Sequence, residues 1–196
     1  MGDDERLRRA LAAIDEANAG DPNRIEVRGA SRPKEVAHAE LVSEWVERLR
    51  PNASEALRLA ARAHHVQRWT IPRSDHPEGR LGYHRWRTAL QRFHAEKAGE
   101  ILAGVGYDAA TIERVQNLVQ KRDLGRDPEV QALEDALCLV FLETQLRELA
   151  ERLDEARLLD VLRKTLAKMS PAAIECAGAL VLAPAARACL ERAMES

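Results

Sequence analysis

EVQALEDALCLVFLE, residues 129–143, is the stretch whose reading decides the fold. Seven consecutive apolar residues, 136–142, follow the acidic pair Glu134 and Asp135. Helix formers (Gln131, Ala132, Leu133, Glu134) precede the run, and TQLRELAERL carries the helical period on to about Leu153. On a helix, Asp135 shares a face with Cys138, Leu139 and Leu142, at i+3, i+4 and i+7. A carboxylate on the inward face of a central helix needs a partner, because an unpaired buried charge costs several kcal/mol or takes up a proton.

The rest of the chain reads outward from that helix. Its 196 residues fit one domain, with 45% hydrophobic, 32% charged and only 4% aromatic residues. Runs of β-branched residues are absent, which argues against sheet. Earlier helices follow from the stripes Leu7–Leu11–Ile14, then Leu41/Val42–Trp45–Leu49, then Leu57–Ala60/Ala61–His64 in a helix running through ASEALRLAARAHHVQRW. Residues 83–103 form a long fourth helix with Trp86, Leu90, Phe93 and Ile101 inward and His94 and Lys97 flanking. TIERVQNLVQKRD gives a fifth, buried through Ile112, Val115, Leu118 and Val119. Residues 158–169, a helix opened by Ser170 with Pro171 at its first position, and a last helix that Pro184 begins or breaks complete the set. Residues 21–33 and 70–82 hold the prolines and glycines and read as loops. The expectation is an all-α single helical-bundle domain over residues 1–196, with about eight to nine helices.

A net charge of −2 gives no whole-protein argument for nucleic acid or an anionic membrane. The charge is uneven, however. Between Arg62 and Lys97 stand eight Lys/Arg against three Asp/Glu, together with five of the six histidines, which favours a small anion over a nucleic-acid track. The three cysteines lack metal or redox spacing and read as buried free thiols of a cytoplasmic protein. No apolar stretch is long enough to span a bilayer. Residues 158–169 present a face that could dock a second subunit, making a homo-oligomer the expected assembly if that face is used.

His38, His64, His65 and Asp135 stand out, inward by periodicity on three helices. Their spacing, 26 residues from His38 to His64 and 70 from His65 to Asp135, resembles that of the HD superfamily of all-helical metal-dependent phosphohydrolases. That resemblance implies an HD-domain-like core and one divalent metal (Mn, Co, Fe, Ni or Zn) held by His38, His64, His65 and Asp135. Such an ion lowers the pKa of bound water. The chain departs from the superfamily at His65, where the superfamily carries Asp, so the implied site is less anionic. Glu134 or His94 is the expected group to position that water or protonate a leaving group.

The segments HHVQRWTIPRSDHP, GYHRWR, RFHAEKAGEIL, DPEVQALEDALCLVFLE and DVLRKTLAKMSP resemble the domain-of-unknown-function family numbered 4202, over most of the chain. The shared positions centre on His65, His94 and the pair Glu134-Asp135; no activity comes with them. Arg68, Arg73, Arg85 and Arg87 surround Ser74, and guanidinium forks suit phosphate oxygens. With Lys121 they form the expected substrate-binding set, and Trp69, Tyr83 or Trp86 offer stacking surfaces. The expected function is hydrolysis of a nucleotide or small phosphorylated metabolite. Its competitors are a non-catalytic nucleotide- or anion-binding protein on the same scaffold and, further behind, an RNA-binding protein.

Overall fold

Residues 3–195 are described by the computed structural model, which is all-α but for one hairpin. Among the described residues the α-helices are α1 (Asp3–Ala19), α2 (Lys34–Leu49), α3 (Glu55–Ala63), α4 (Gly79–Val105), α5 (Ala109–Val119), α6 (Pro128–Thr144), α7 (Leu146–Arg152), α8 (Glu155–Leu166), α9 (Pro171–Gly178) and α10 (Pro184–Met194). Three-residue 3-10 turns at Arg68–Thr70 and Arg73–Asp75 bridge α3 to α4. The tenth helix arises because the chain breaks at Gln145, so α7 is a separate element and not a continuation of α6.

The sequence expectation of a plain loop over residues 21–33 is corrected. Antiparallel strands β1 (Arg24–Val27) and β2 (Ala30–Pro33) pair there, joined at Arg28 and Gly29. Both turn residues have φ near the left-handed region, 53° and 76°, which is the two-residue hairpin turn that matches strand twist. Ion pairs hold the hairpin to α2, Arg28 to Glu44 and Arg32 to Glu40.

The helix α6 is buried on nearly every side, from Val130 through Leu142, including both acids. Its start is fixed by Asp127, whose carboxylate accepts the Glu129 and Val130 amides at 2.8 and 3.3 Å. Arg114 pairs with that carboxylate and holds its pKa down to about 2. The helix α2 packs along α6, α5 packs on α3 and α4, and α9 covers the other side of α6. Ser54, Asp108 and Ser170 cap α3, α5 and α9 by accepting Leu57, Thr111 and Ala173 amides.

Two helices differ from their expected form. The helix α3 ends at Ala63 and does not run on to Trp69, since Gln67 takes φ +52° and its amide is captured by Asn18 Oδ1 of α1 at 2.9 Å. In α4 the buried face is Leu90, His94, Ala95, Ala98, Gly99 and Leu102, while Trp86, Phe93 and Ile101 are only half-buried. The small face turns inward because α5 approaches there: a Cβ on Gly99 would lie 2.4 Å from Gln116 Nε2. A Cβ on Gly82 would meet the Pro77 carbonyl oxygen at 1.7 Å, so the loop before α4 folds back against its first turns. Gly82→Ala is expected to cost about 1–3 kcal/mol, read as a lower urea midpoint. No described helix is long and apolar enough to cross a membrane.

Candidate metal centre

Four histidines meet where α2, the end of α3 and α4 come together. His38 comes from α2, His64 is the residue that closes α3, His65 follows it in the turn, and His94 lies on the buried face of α4. Ring centroids are 5.1 Å apart for His38–His64 and His38–His65, 4.2 Å for His64–His65 and 5.5 Å for His65–His94. His38, His64 and His65 can each offer a nitrogen such that all three lie within 4.8 Å of one another. His38, His64 and His94 are buried, whereas 28% of the His65 side chain faces solvent and gives the cluster its access.

Hydrogen bonds assign the tautomers. A carbonyl can only accept, so His64 Nδ1–H donates to Ala61 at 2.8 Å and leaves Nε2 as a lone pair. His38 Nδ1–H therefore donates to that Nε2 at 3.1 Å, which leaves its own Nε2 a lone pair. His94 Nδ1–H donates to the Val66 carbonyl at 2.9 Å, and its buried Nε2 has no partner. A ring nitrogen anchored to a carbonyl, with the other nitrogen bare, is how metal-ligating histidines are prepared. Nitrogens about 3.0–3.5 Å apart are also what ligand bonds near 2.0–2.2 Å to one ion produce, so the 3.1 Å pair of His38 Nδ1 and His64 Nε2 fits once the His38 proton shifts to its own Nε2.

A residue overlooked in the sequence completes the cluster. Glu35, one helical turn before His38, is buried with its Oε2 3.5 Å from His65 Nδ1 and otherwise unpartnered. Its Lys34-Glu35-x-x-His38 spacing puts it on the histidine's face, a signal that periodicity alone could have flagged. Asp21 holds the start of this helix, with Oδ2 accepting the Glu35 amide at 2.9 Å.

Burial raises Glu35 to about 7, against the pull of Arg68 and Lys34. Burial also lowers His38 and His94 to about 4, and it depresses His64 and His65, the latter tempered by its solvent contact. An unfolded histidine binds its proton near 6.5, so between pH 6.5 and 4 the unfolded chain holds more protons. The histidine contribution to stability is complete above about 6.5 and is lost as the pH falls toward 4. Glu35 acts oppositely, its cost growing from 4.5 to 7, but one carboxyl opposes four imidazoles. Urea midpoints of metal-free protein are expected to drop between pH 6.5 and 4, and His94→Gln is expected to flatten that slope.

The remaining expected site residues are placed as follows. Asp135 is not brought to the histidines: Ser170 donates its backbone N–H to Oδ1 at 2.8 Å and its hydroxyl to Oδ2 at 2.6 Å, and Gln131 Nε2 donates at 2.9 Å. It is a buried tie between α6 and the start of α9. Glu134 and Lys121 are paired with each other, with Lys168 3.8 Å from the same carboxylate. Arg73 donates to the His76 carbonyl at 2.8 Å, and Ser74 to Asp75 at 3.3 Å, so both serve their own loop. Arg85 is exposed. Arg87 donates to the Tyr83 hydroxyl at 3.3 Å. Arg68 lies 5.0 Å over the Trp86 ring, three residues past His65, and Trp86 Nε1–H is fixed by the Ile71 carbonyl at 2.9 Å.

The molecule is thus an all-α protein carrying one short hairpin, with a buried imidazole cluster and one guanidinium beside it. The chain belongs to the family described as a domain of unknown function, DUF4202, whose model matches residues 8–190. No curated protein and no solved structure matches it.

Proposed function

We propose that this chain is a metal-dependent phosphohydrolase acting on a nucleotide or small phosphorylated metabolite, with His38, His64 and His65 as the protein ligands. The observation that carries this reading is the convergence of three imidazoles whose donor nitrogens lie within 4.8 Å of one another. The order of a lone histidine followed by a doublet, resembling the HD superfamily, supports it. A bound divalent ion would polarise a phosphoryl oxygen and make water acidic enough to serve as a nucleophile near neutrality. The chain's own groups supply the rest. His94 Nε2, bare and buried, accepts a proton or orients water; with its pKa near 4 it is not the donor to a leaving group at neutral pH. Arg68, steadied by Trp86, receives the phosphoryl oxygens. Asp135 and Glu134 act as structural braces behind α2. Three unpaired thiols suit a reducing, cytoplasmic setting.

The test is metal analysis of purified protein by plasma mass spectrometry, with a phosphatase screen over nucleotides and sugar phosphates. About one ion per chain and turnover with added Mn or Co are expected. Absence of both ends the hydrolase reading. The second reading, a non-catalytic anion-binding protein, is favoured by Arg68, a half-buried guanidinium held over the Trp86 ring that meets Glu35 only at longer range than an ion pair. It predicts a ligand-dependent rise in melting temperature that EDTA leaves untouched.

A further inference from the structure

Three of the four clustered imidazoles have an anchored nitrogen. His64 and His94 each donate Nδ1–H to a backbone carbonyl, and His38 donates to His64. His65 is the exception: among the described residues neither of its ring nitrogens makes a hydrogen bond. A neutral imidazole without an anchor divides itself between the Nδ1–H and Nε2–H forms, and each form offers a different nitrogen to a metal ion. Glu35 stands where an anchor belongs. Its Oε2 lies 3.5 Å from His65 Nδ1, and that oxygen is buried without any hydrogen-bond donor. An unassigned donor and a stranded acceptor thus face each other.

One piece of chain, the end of α1 and the turn after it, pins both backbones. Asn18 and Asp21 are buried there. Asp21 Oδ2 accepts the Glu35 N–H at 2.9 Å, and Asn18 Oδ1 accepts the N–H of Gln67, two residues past His65, at 2.9 Å. The Asn18 carbonyl accepts the Asp21 N–H at 3.1 Å and ties the two braces together. The His65 carbonyl accepts the Arg68 N–H at 3.0 Å. What is left adjustable is the pair of side chains. A charge-assisted N–H···O bond to a carboxylate is about 2.7–2.9 Å long, so the contact closes by a shift of about 0.6–0.8 Å. The His65 side chain, 28% exposed, is the least confined of the four rings and has room for it.

We propose that Glu35 is a positioning residue of the histidine cluster: its carboxylate takes the His65 Nδ1–H and commits that ring to presenting Nε2 as its lone pair. This rests on the proposed metal site for its meaning in catalysis, whereas the pairing itself concerns protein groups alone. A carboxylate behind a ligating imidazole fixes the ring's tautomer and orientation and raises its basicity, which contributes about 10–100-fold in metal affinity. Glu35 also brings one negative charge to a set of neutral ligands. Asp135 cannot take this part, since its oxygens are held by Ser170 and Gln131.

The experiment is long-range proton–nitrogen correlation NMR at pH 8 on the EDTA-dialysed full chain with isotopically labelled histidines, which reads the tautomer of each ring from its two nitrogen shifts. The His65 signals are those lost in His65→Gln. His65 is expected as the Nδ1–H tautomer in the parent and in Glu35→Gln, whose amide oxygen still accepts, and to turn mainly to Nε2–H in Glu35→Ala. His64 and His94 are expected to keep Nδ1–H throughout, so the change is not one of folding. Zinc titration against a chromophoric chelator is expected to show affinity about 10–100-fold weaker in Glu35→Ala, and weakened less in Glu35→Gln. An Nε2–H His65 in the parent, or an Nδ1–H His65 in Glu35→Ala, overturns the pairing. A Glu35-dependent tautomer in a protein that binds no zinc keeps the pairing and ends the metal-centre reading. Parent-like zinc affinity in Glu35→Ala keeps the metal centre and overturns the positioning role.

Discussion

His64→Ala is expected to reduce bound metal from about one ion per chain to a few per cent, a loss of at least about 100-fold in affinity. The reason is that His64 is the hub. Its Nδ1–H is anchored to Ala61, its Nε2 receives the His38 proton, and its ring lies closest to His65. Removing it deletes one ligand and frees the rotamer of a second. Binding through the bonded pair would move the His38 proton from Nδ1 to Nε2, a tautomer change that leaves the ring neutral, so parent protein is expected to bind metal more weakly only as the imidazoles themselves take up protons, toward pH 4. Plasma mass spectrometry on parent and variant, each checked by circular dichroism for retained helicity, decides the matter. Full occupancy in the variant would show that the ion sits elsewhere.

Asp135→Ala is expected to leave metal content unchanged and to lower unfolding free energy by about 3–5 kcal/mol, from the cost of stranding buried donors. The carboxylate satisfies the Ser170 amide, the Ser170 hydroxyl and the Gln131 amide. Ser170 Oγ in turn accepts the Ala173 amide that starts α9, so the substitution loosens a helix cap as well. Asp135→Asn is expected to lie between, because its NH₂ faces donors and cannot accept. Urea unfolding followed with metal analysis on the same samples separates the two roles. Loss of the ion in a well-folded Asp135→Asn protein would restore this residue to the coordination sphere.

The helices were legible because their ends are written in single residues: Ser170 with Pro171 begins a helix where the sequence puts it, and the structure settles on Ser54 over Asn52, on Asp108 over Thr111, and on Pro184 as a start rather than a break. Phase was harder. In α4 the reading followed the largest side chains, whereas close approach of α5 demands the smallest, and Gly99 with Ala95 and Ala98 faces in. The hairpin was hidden because its strands are polar and are held by ion pairs to α2 more than by a buried face. Within the candidate site, the convergence of His38, His64 and His65 followed from spacing. The partner of Asp135 did not, since Ser170 lies 35 residues away and nothing local links them. Glu35 escaped notice for the opposite reason: it resembles any acid in the first turn of a helix until burial removes its solvent.

The stacking of Arg68 on Trp86 has an optical consequence. Indole emission responds to a charge held near its ring, so an anion that draws the guanidinium away changes the fluorescence of Trp86 without any label. Trp45, with Arg48 3.9 Å over its ring and its Nε1–H bonded to Glu143, sits about two turns past His38 along α2 and adds to the emission, as does Trp69 beside Arg68 in the chain. The protein carries its own spectroscopic reporter at the mouth of the histidine cluster, and occupancy can be followed in a cuvette.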